Sequence, residues 1–292
     1  MKDLSPKDKT LYFVILSFSR FLAHLPEPFF KVVCLVASFL VRTLARKDRR
    51  IISQNVFRVF GLAKQSRSCR TFADQCLSST VYCSLETLRA VFNPRAVKIL
   101  GMENLSKELS RFSSSQEVVC ITSHLGSWEL AGHVLAKASS RKFYGLAKPS
   151  KSPGFSEFLN NVRIRLDIKV LWTGRSSIVK DMMAVLKGGN ILGFVMDQKP
   201  LVANSPKVDF LGIETPMVSG PATMALHFKC PVFAVHVVRE GAMVYRVLVK
   251  EIVYPPTQTA EELTATFASE ITSVIRAYPE QWCWNYRRWK SN

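Results

Sequence analysis

The spacing of hydrophobic positions changes character along this chain. Residues 1–60 carry two apolar runs at helical spacing, 11–19 and 32–41, with Pro26 and Pro28 between them to break the helix. Residues 66–92 are helical again, and Cys69, Cys76 and Cys83, seven apart, form one small-residue stripe. From about residue 116 the pattern alternates between strand and helix. Apolar runs predict strands at 118–123, 142–147, 168–172, 191–196, 231–238 and 244–253. Helices are predicted between them at 128–137, 155–166 and 178–186, the last ending at Gly188-Gly189. A further helix, 221–228, has Pro in its first turn. Thr259 and Glu262 form a capping box that opens a final helix with Leu263, Phe267, Ile271 and Val274 on one face.

Strands alternating with helices predict an α/β fold with a mixed, largely parallel central sheet flanked by helices. In front of it lies an N-terminal helical, membrane-associating region, 1–60, and the α/β domain is expected over 61–292. No repeat, low-complexity tract or linker divides the second part further.

Composition sharpens the picture of the first part. Hydrophobic content is 48% and net charge +18. Apolar and basic together point to an anionic lipid surface, where each Lys or Arg gains about 1 kcal/mol. The N-terminal runs are shorter than the roughly 20 apolar residues of a bilayer span, and no small-residue cleavage site follows them. They are expected to lie in one leaflet, with Arg42, Arg46, Lys47, Arg49 and Arg50 on the anionic cytoplasmic side. The charge is spread between apolar stretches, without a recognition motif or basic tail, which argues against nucleic acid as partner. Seven cysteines, an odd number, fit free thiols in a reducing compartment. Their seven-residue stripe reads as a buried face, and no metal site is expected.

The candidate chemistry sits at Ser123-His124-Leu125-Gly126-Ser127-Trp128-Glu129, where an apolar strand ends and a helix begins. His124 in the turn is a candidate general base, and Glu129 in the first helical turn could point back to orient it. Arg163 and Arg165 flank the apolar stripe of the helix at 155–166 and are candidates for phosphate or oxyanion contact. Asp197 and Gln198 end the most apolar strand, at the carboxyl end where α/β sites form. There Asp197 either orients an arginine or a catalytic loop or holds the fold. Lys148 and Arg239 are lesser candidates for phosphate contact; His133, His227 and His236 read as structural. No G-x-S-x-G elbow is present, which disfavours a serine hydrolase.

The segment His124 to Glu129 resembles the H-x-x-x-x-D/E motif of acyltransferases that acylate glycerophospholipids and lipid A. Its form is most similar to the bacterial lipid A late acyltransferase family of lauroyl and myristoyl type. Other blocks agree in order: Arg50 to Val56 with Asn55; Tyr144 to Pro149; Arg163-x-Arg165; Met196-Asp197-Gln198; Phe210-Leu211-Gly212 with Thr215 and Gly220; and Tyr278 to Arg288. Three positions depart from the pattern. Asp167 stands where the family often has Gly, Lys199-Pro200 replaces a Gly-rich turn, and Leu211 replaces a second Phe.

The resemblance implies a glycerol-3-phosphate acyltransferase-like fold and an enzyme at the cytoplasmic face of a bacterial inner membrane. The reaction implied is acyl transfer from acyl carrier protein to a hydroxyl of a lipid A precursor, in lipopolysaccharide biosynthesis. His124 would be the base and Glu129 its partner, with no cofactor. The alternative is an acyl-coenzyme A donor and another glycolipid or phospholipid acceptor. Acyl length would be set by an apolar tunnel that a single Trp or Phe could reset.

Overall fold

Three helices open the chain. In this computed structural model, which describes residues 4–113, 115–200 and 204–289, α1 (Pro6–His24) starts with Ser5 accepting the Asp8 amide. After the Pro26 break, α2 (Glu27–Leu44) and α3 (Arg46–Phe60) follow, α3 ending on Gly61 in the left-handed region at φ 69°. Among the described residues no single helix is long and apolar enough to cross a membrane. The pair α2 and α3 has the length and composition together, but bends by 77° between them.

The long helix α4 (Arg67–Phe92) buries Cys69, Cys76 and Cys83, as their spacing predicts. Its far end holds the first hairpin: Arg89 Nη2 donates to Leu25 O at 2.9 Å and Asn93 Nδ2 to Ala23 O at 3.2 Å.

The α/β part runs β1 (Lys98–Leu100), α5 (Met102–Ser110), β2 (Val118–Thr122), α6 (Trp128–Ala138), β3 (Phe143–Ala147), α7 (Pro153–Arg165), β4 (Ile168–Trp172), α8 (Ile178–Lys187) and β5 (Ile191–Val195). It continues with β6 (Lys207–Phe210), β7 (Ile213–Pro216), α9 (Gly220–Phe228), β8 (Val232–Gly241), β9 (Val244–Ile252) and α10 (Ala260–Ala277). The predicted strands and helices from 118 onward are all present, with ends shifted by three residues at most. Absent from the pattern were β1, α5 and the β6–β7 hairpin. Strands of three or four residues are too short to show a period.

Seven strands form the central sheet in the order β1-β9-β8-β2-β5-β3-β4. All neighbours are parallel except β8 and β9, which pair antiparallel through a tight connection. Strand β2 is buried on both faces from Val118 to Ile121, which is why it reads as an unbroken apolar run. Val119 and Ile121 enter the core shared with α3, α8, α9 and α10. Val118 and Cys120 enter the opposite core, with α5, α6 and α7. Helices α1 and α2 join that second core through Tyr12, Leu16, Phe30 and Cys34.

Candidate active site

The site forms where β2 and β5 end side by side. Thr122 pairs with Val195 in register, and Met196 N donates to Thr122 O at 3.1 Å. Two residues beyond that pair, the chain places His124 against Asp197. His124 Nδ1 lies 2.7 Å from Asp197 Oδ1, and the His124 amide donates to Oδ2 at 2.9 Å. The Trp282 indole N–H donates to the same Oδ2 at 2.6 Å.

Asp197 is buried, whereas the His124 side chain is 21% exposed and reaches the cavity. Burial opposes the charge on Asp197, but His124 and the hydrogen bonds it receives hold its pKa below the usual carboxylate value. On His124 burial opposes the charged form, and the Asp197 charge and hydrogen bond outweigh it, so the imidazole pKa is raised. An ionised carboxylate only accepts, so Nδ1 carries its proton and Nε2 faces outward as the basic nitrogen. Gln198 Nε2 lies 3.3 Å from it.

Glu129 is not the partner of His124. Its carboxylate takes the Arg163 guanidinium, with Nε at 3.1 Å from both oxygens and Nη2 at 2.7 Å from Oε1. The physical reason is where the elements start. Glu129 is the second residue of α6, which faces α7, while the space behind Nδ1 belongs to the end of β5. Glu129 and Arg163 still line the cavity beside His124. The sequence signal for Asp197 was present in the polar residue ending the most apolar strand. That this strand neighbours β2 is a fact of topology that a linear pattern does not carry.

The loop between β2 and α6 is laced in place. Gly126 sits at φ 60°, and a Cβ there would fall 2.2 Å from Val237 O. Gly126 N donates to Gln281 O at 3.0 Å, Ser127 N to Val237 O at 2.9 Å, and Cys283 N to His124 O at 2.9 Å. Ser127 caps α6 by accepting the Leu130 amide at 3.4 Å. The segment 281–283, which carries Trp282, is thus part of the site. It is the functional element that the candidate residues missed, although it lies in the C-terminal block of the resemblance.

The remaining candidates separate. Lys148 is exposed at the cavity rim. Arg165 turns away, with Nε donating to Asn161 Oδ1 at 3.0 Å and its guanidinium over Phe92. Arg239 is not available for phosphate: Nε and Nη2 each donate to the buried Glu86 at 2.9 Å, and Glu86 also accepts from Tyr245 at 2.8 Å. His236 is buried near Ser123 Oγ at 3.1 Å, and burial pushes its pKa down to about 4. His133 Nδ1 lies 3.1 Å from Leu166 O, and His227 packs edge-on against Phe228.

Two cavities meet at His124. One, of about 300 Å³, passes between α6 and the sheet. The other, about 550 Å³, lies among α1, α4 and α7 and is walled by Ile15, Leu88, Phe155, Phe158 and Val162. An imidazole base and a guanidinium beside one recess of mixed polarity and one mostly apolar recess can bind an acyl chain and move a proton between a hydroxyl and a leaving group. No curated protein matches the chain. The profile of the bacterial lipid A biosynthesis acyltransferase family matches residues 2–291. With nearly the whole chain matched, this protein is a member of that acyltransferase family.

Proposed function

We propose that this chain moves a fatty acyl group from acyl carrier protein to a hydroxyl of a phosphorylated lipid A precursor. The observation that carries the reading is His124, with Nδ1 on the buried Asp197, standing where two cavities meet, the larger of them mostly apolar. Nε2 takes the proton of the acceptor hydroxyl as its oxygen attacks the thioester carbonyl. The C–S bond of the tetrahedral intermediate then breaks, and the imidazolium returns the proton to the departing thiolate. Asp197 stabilises the imidazolium in between. Glu129 acts through Arg163: it grips Nε and Nη2 and so aims the guanidinium at the oxyanion or at a substrate phosphate.

The N-terminal hairpin suits delivery of a lipid. Phe13, Val14, Phe18 and Phe21 of α1 and Phe29, Val32, Val36 and Phe39 of α2 are all at least half exposed. Arg46, Lys47, Arg50, Arg58 and Arg287 ring a neighbouring recess. We read this as a surface lying in the cytoplasmic leaflet of a bacterial inner membrane, with the basic residues at the anionic headgroups.

The test is acyl transfer by the purified protein in detergent. Acyl carrier protein and coenzyme A thioesters are offered with a tetra-acylated lipid A precursor, and His124→Ala is run beside the wild type. Product from the wild type and near-background rates from an equally folded His124→Ala are expected. Transfer only to another glycolipid or phospholipid, or only from coenzyme A, would move the protein to the alternative acceptor or donor. Full activity in His124→Ala would remove the histidine from the mechanism.

A further inference from the structure

Two sequence blocks, Arg50 to Val56 and Tyr278 to Arg288, meet at a recess separate from the site at His124. Asn55 and Trp284 stand 229 residues apart in the chain, and Asn55 Nδ2 joins them by donating to the carbonyls of Trp284 and Tyr286. One turn later along α3, Arg58 Nη1 donates to Trp289 O. Between α3 and the C-terminal segment lies a cavity of about 580 Å³. Its floor is buried, with Ile51, Asn55 and Trp289 at 6%, 5% and 8% exposure. None of the residues lining it lines either cavity at His124.

The walls of this recess are cationic. Along α3, Lys47, Arg50, Gln54 and Arg58 follow a spacing of three, four and four, which puts them on one face of the helix. Arg46 stands beside them, and Arg287 reaches in from the C-terminal segment. Arg58 is engaged with the Trp289 carbonyl, and Arg49, outside the recess, is paired with Asp74 at 2.7 Å. Arg46, Lys47, Arg50 and Arg287 have no ion pair among the described residues, and no described carboxylate lines the recess. Arg46 and Arg50 are four apart and Lys47 and Arg50 three apart, so their charges repel. An anion between them turns that repulsion into attraction.

We infer that the recess between α3 and the C-terminal segment binds a phosphomonoester, gripped from two sides by Arg50 and Arg287. A phosphomonoester near pH 7 carries about −1.5 to −2 charges and three acceptor oxygens. It can therefore take two guanidinium forks and an ammonium at once. A phosphodiester has one charge and fewer free oxygens, so it leaves part of the set unmatched. The cavity volume is that of a small-molecule site of about 300–1,000 Å³, which suits a headgroup better than a helix of an acidic protein. Resting on the membrane-facing reading above, the phosphomonoester is that of a lipid headgroup; a soluble phosphorylated compound offers the same chemistry.

The experiment has a lipid arm and a free-ion arm. Sedimentation compares phosphatidylcholine vesicles carrying phosphatidic acid, a monoester, with vesicles carrying phosphatidylglycerol, a diester, at matched surface charge. The wild type is expected to prefer phosphatidic acid about tenfold, the worth of one added charge-assisted hydrogen bond. Arg50→Gln combined with Arg287→Gln is expected to bring that ratio to about one. Arg175→Gln combined with Lys180→Gln, the same charge change outside the recess, should leave it unaltered. In detergent, inorganic phosphate should raise the thermal midpoint of the wild type above that in chloride at equal ionic strength, and should not do so in the recess variant. The free-ion arm needs no membrane, so it tests the recess apart from the membrane reading. Stabilisation by phosphate that depends on Arg50 and Arg287, without any lipid preference, would uphold the phosphomonoester site and make its ligand a soluble one. A wild type indifferent in both arms would overturn the inference, as would a preference that persists in a folded recess variant. Salt-sensitive binding of acyl carrier protein that the recess variant loses, with no effect of phosphate, would give the recess to an acidic protein instead.

Discussion

A buried carboxylate can hold an imidazole in one tautomer only while it stays ionised. Asp197 stays ionised because three donors converge on it: the His124 ring, the His124 amide and the Trp282 indole. The consequence is a pH dependence with a definite sign. His124 must be neutral to accept a proton, and its pKa is raised. Activity should therefore fall as pH drops through a value above the ordinary histidine pKa of about 6.5. Asp197→Asn removes the charge that raises it, so the acid limb of kcat/KM should move to lower pH. An amide also leaves the tautomer unfixed, and a loss of about 10²–10⁴ in kcat is expected, following the order seen when a triad aspartate is replaced. The check is the pH–rate profile of the variant beside its circular dichroism spectrum; an unmoved acid limb in a folded variant would refute the pairing. His124 itself was legible in the sequence, as a histidine at the end of an apolar run. Its partner was not, because proximity along the chain favoured Glu129, five residues away, over Asp197, 73 residues away. Asp167 tells a similar story at a departure from the family pattern. It sits at φ 60°, where Gly is free of strain and Asp is among the residues that tolerate the conformation.

Among the elements, α3 and the C-terminal segment form a clasp that holds the site from behind. Asn55 Nδ2 donates to Trp284 O at 2.7 Å and to Tyr286 O at 2.8 Å. Trp284 then packs edge-on against Trp282, whose indole reaches Asp197. Asn55→Ala would leave the inward-facing Trp284 carbonyl without its side-chain donor, while Tyr286 O keeps the Arg288 amide at 2.9 Å. At about 1–3 kcal/mol for an unsatisfied buried group, a destabilisation of about 1–3 kcal/mol is expected in urea unfolding. kcat should fall with it, because Trp282 loses its backing while the catalytic groups are untouched. A variant as stable and as active as the wild type would show that the clasp is idle. The alternation of strand and helix was legible because each buried element repeats its period long enough to be seen. The β6–β7 hairpin was hidden by its turn. Leu211 and Gly212 both take positive φ, as a two-residue hairpin turn of this hand requires, but leucine is not a turn signal.

For the molecule as a whole, the question is how a protein of charge +18 with an apolar hairpin would meet a lipid substrate. The apolar and basic features were legible as composition; their placement was not. The structure sets the exposed phenylalanines of α1 and α2 beside the cationic turn into α3, with the second cavity opening among α1, α4 and α7. Two forces should then act on separate parts of one face, and salt distinguishes them. The electrostatic part weakens as the Debye length shrinks from about 10 Å at 0.1 M to about 3 Å at 1 M, while burial of apolar side chains is not screened. Vesicles containing anionic phospholipid should bind the protein at low salt and release part of it at high salt. Arg50→Glu combined with Arg58→Glu should reduce that salt-sensitive part and leave the rest. Phe18→Ser combined with Phe39→Ser should weaken binding at every salt concentration, including to uncharged vesicles, because it removes the part that screening cannot reach. Sedimentation with vesicles of both compositions separates the two. If the phenylalanine variant binds like the wild type throughout, the hairpin does not enter the leaflet, and lipid must reach His124 by another route.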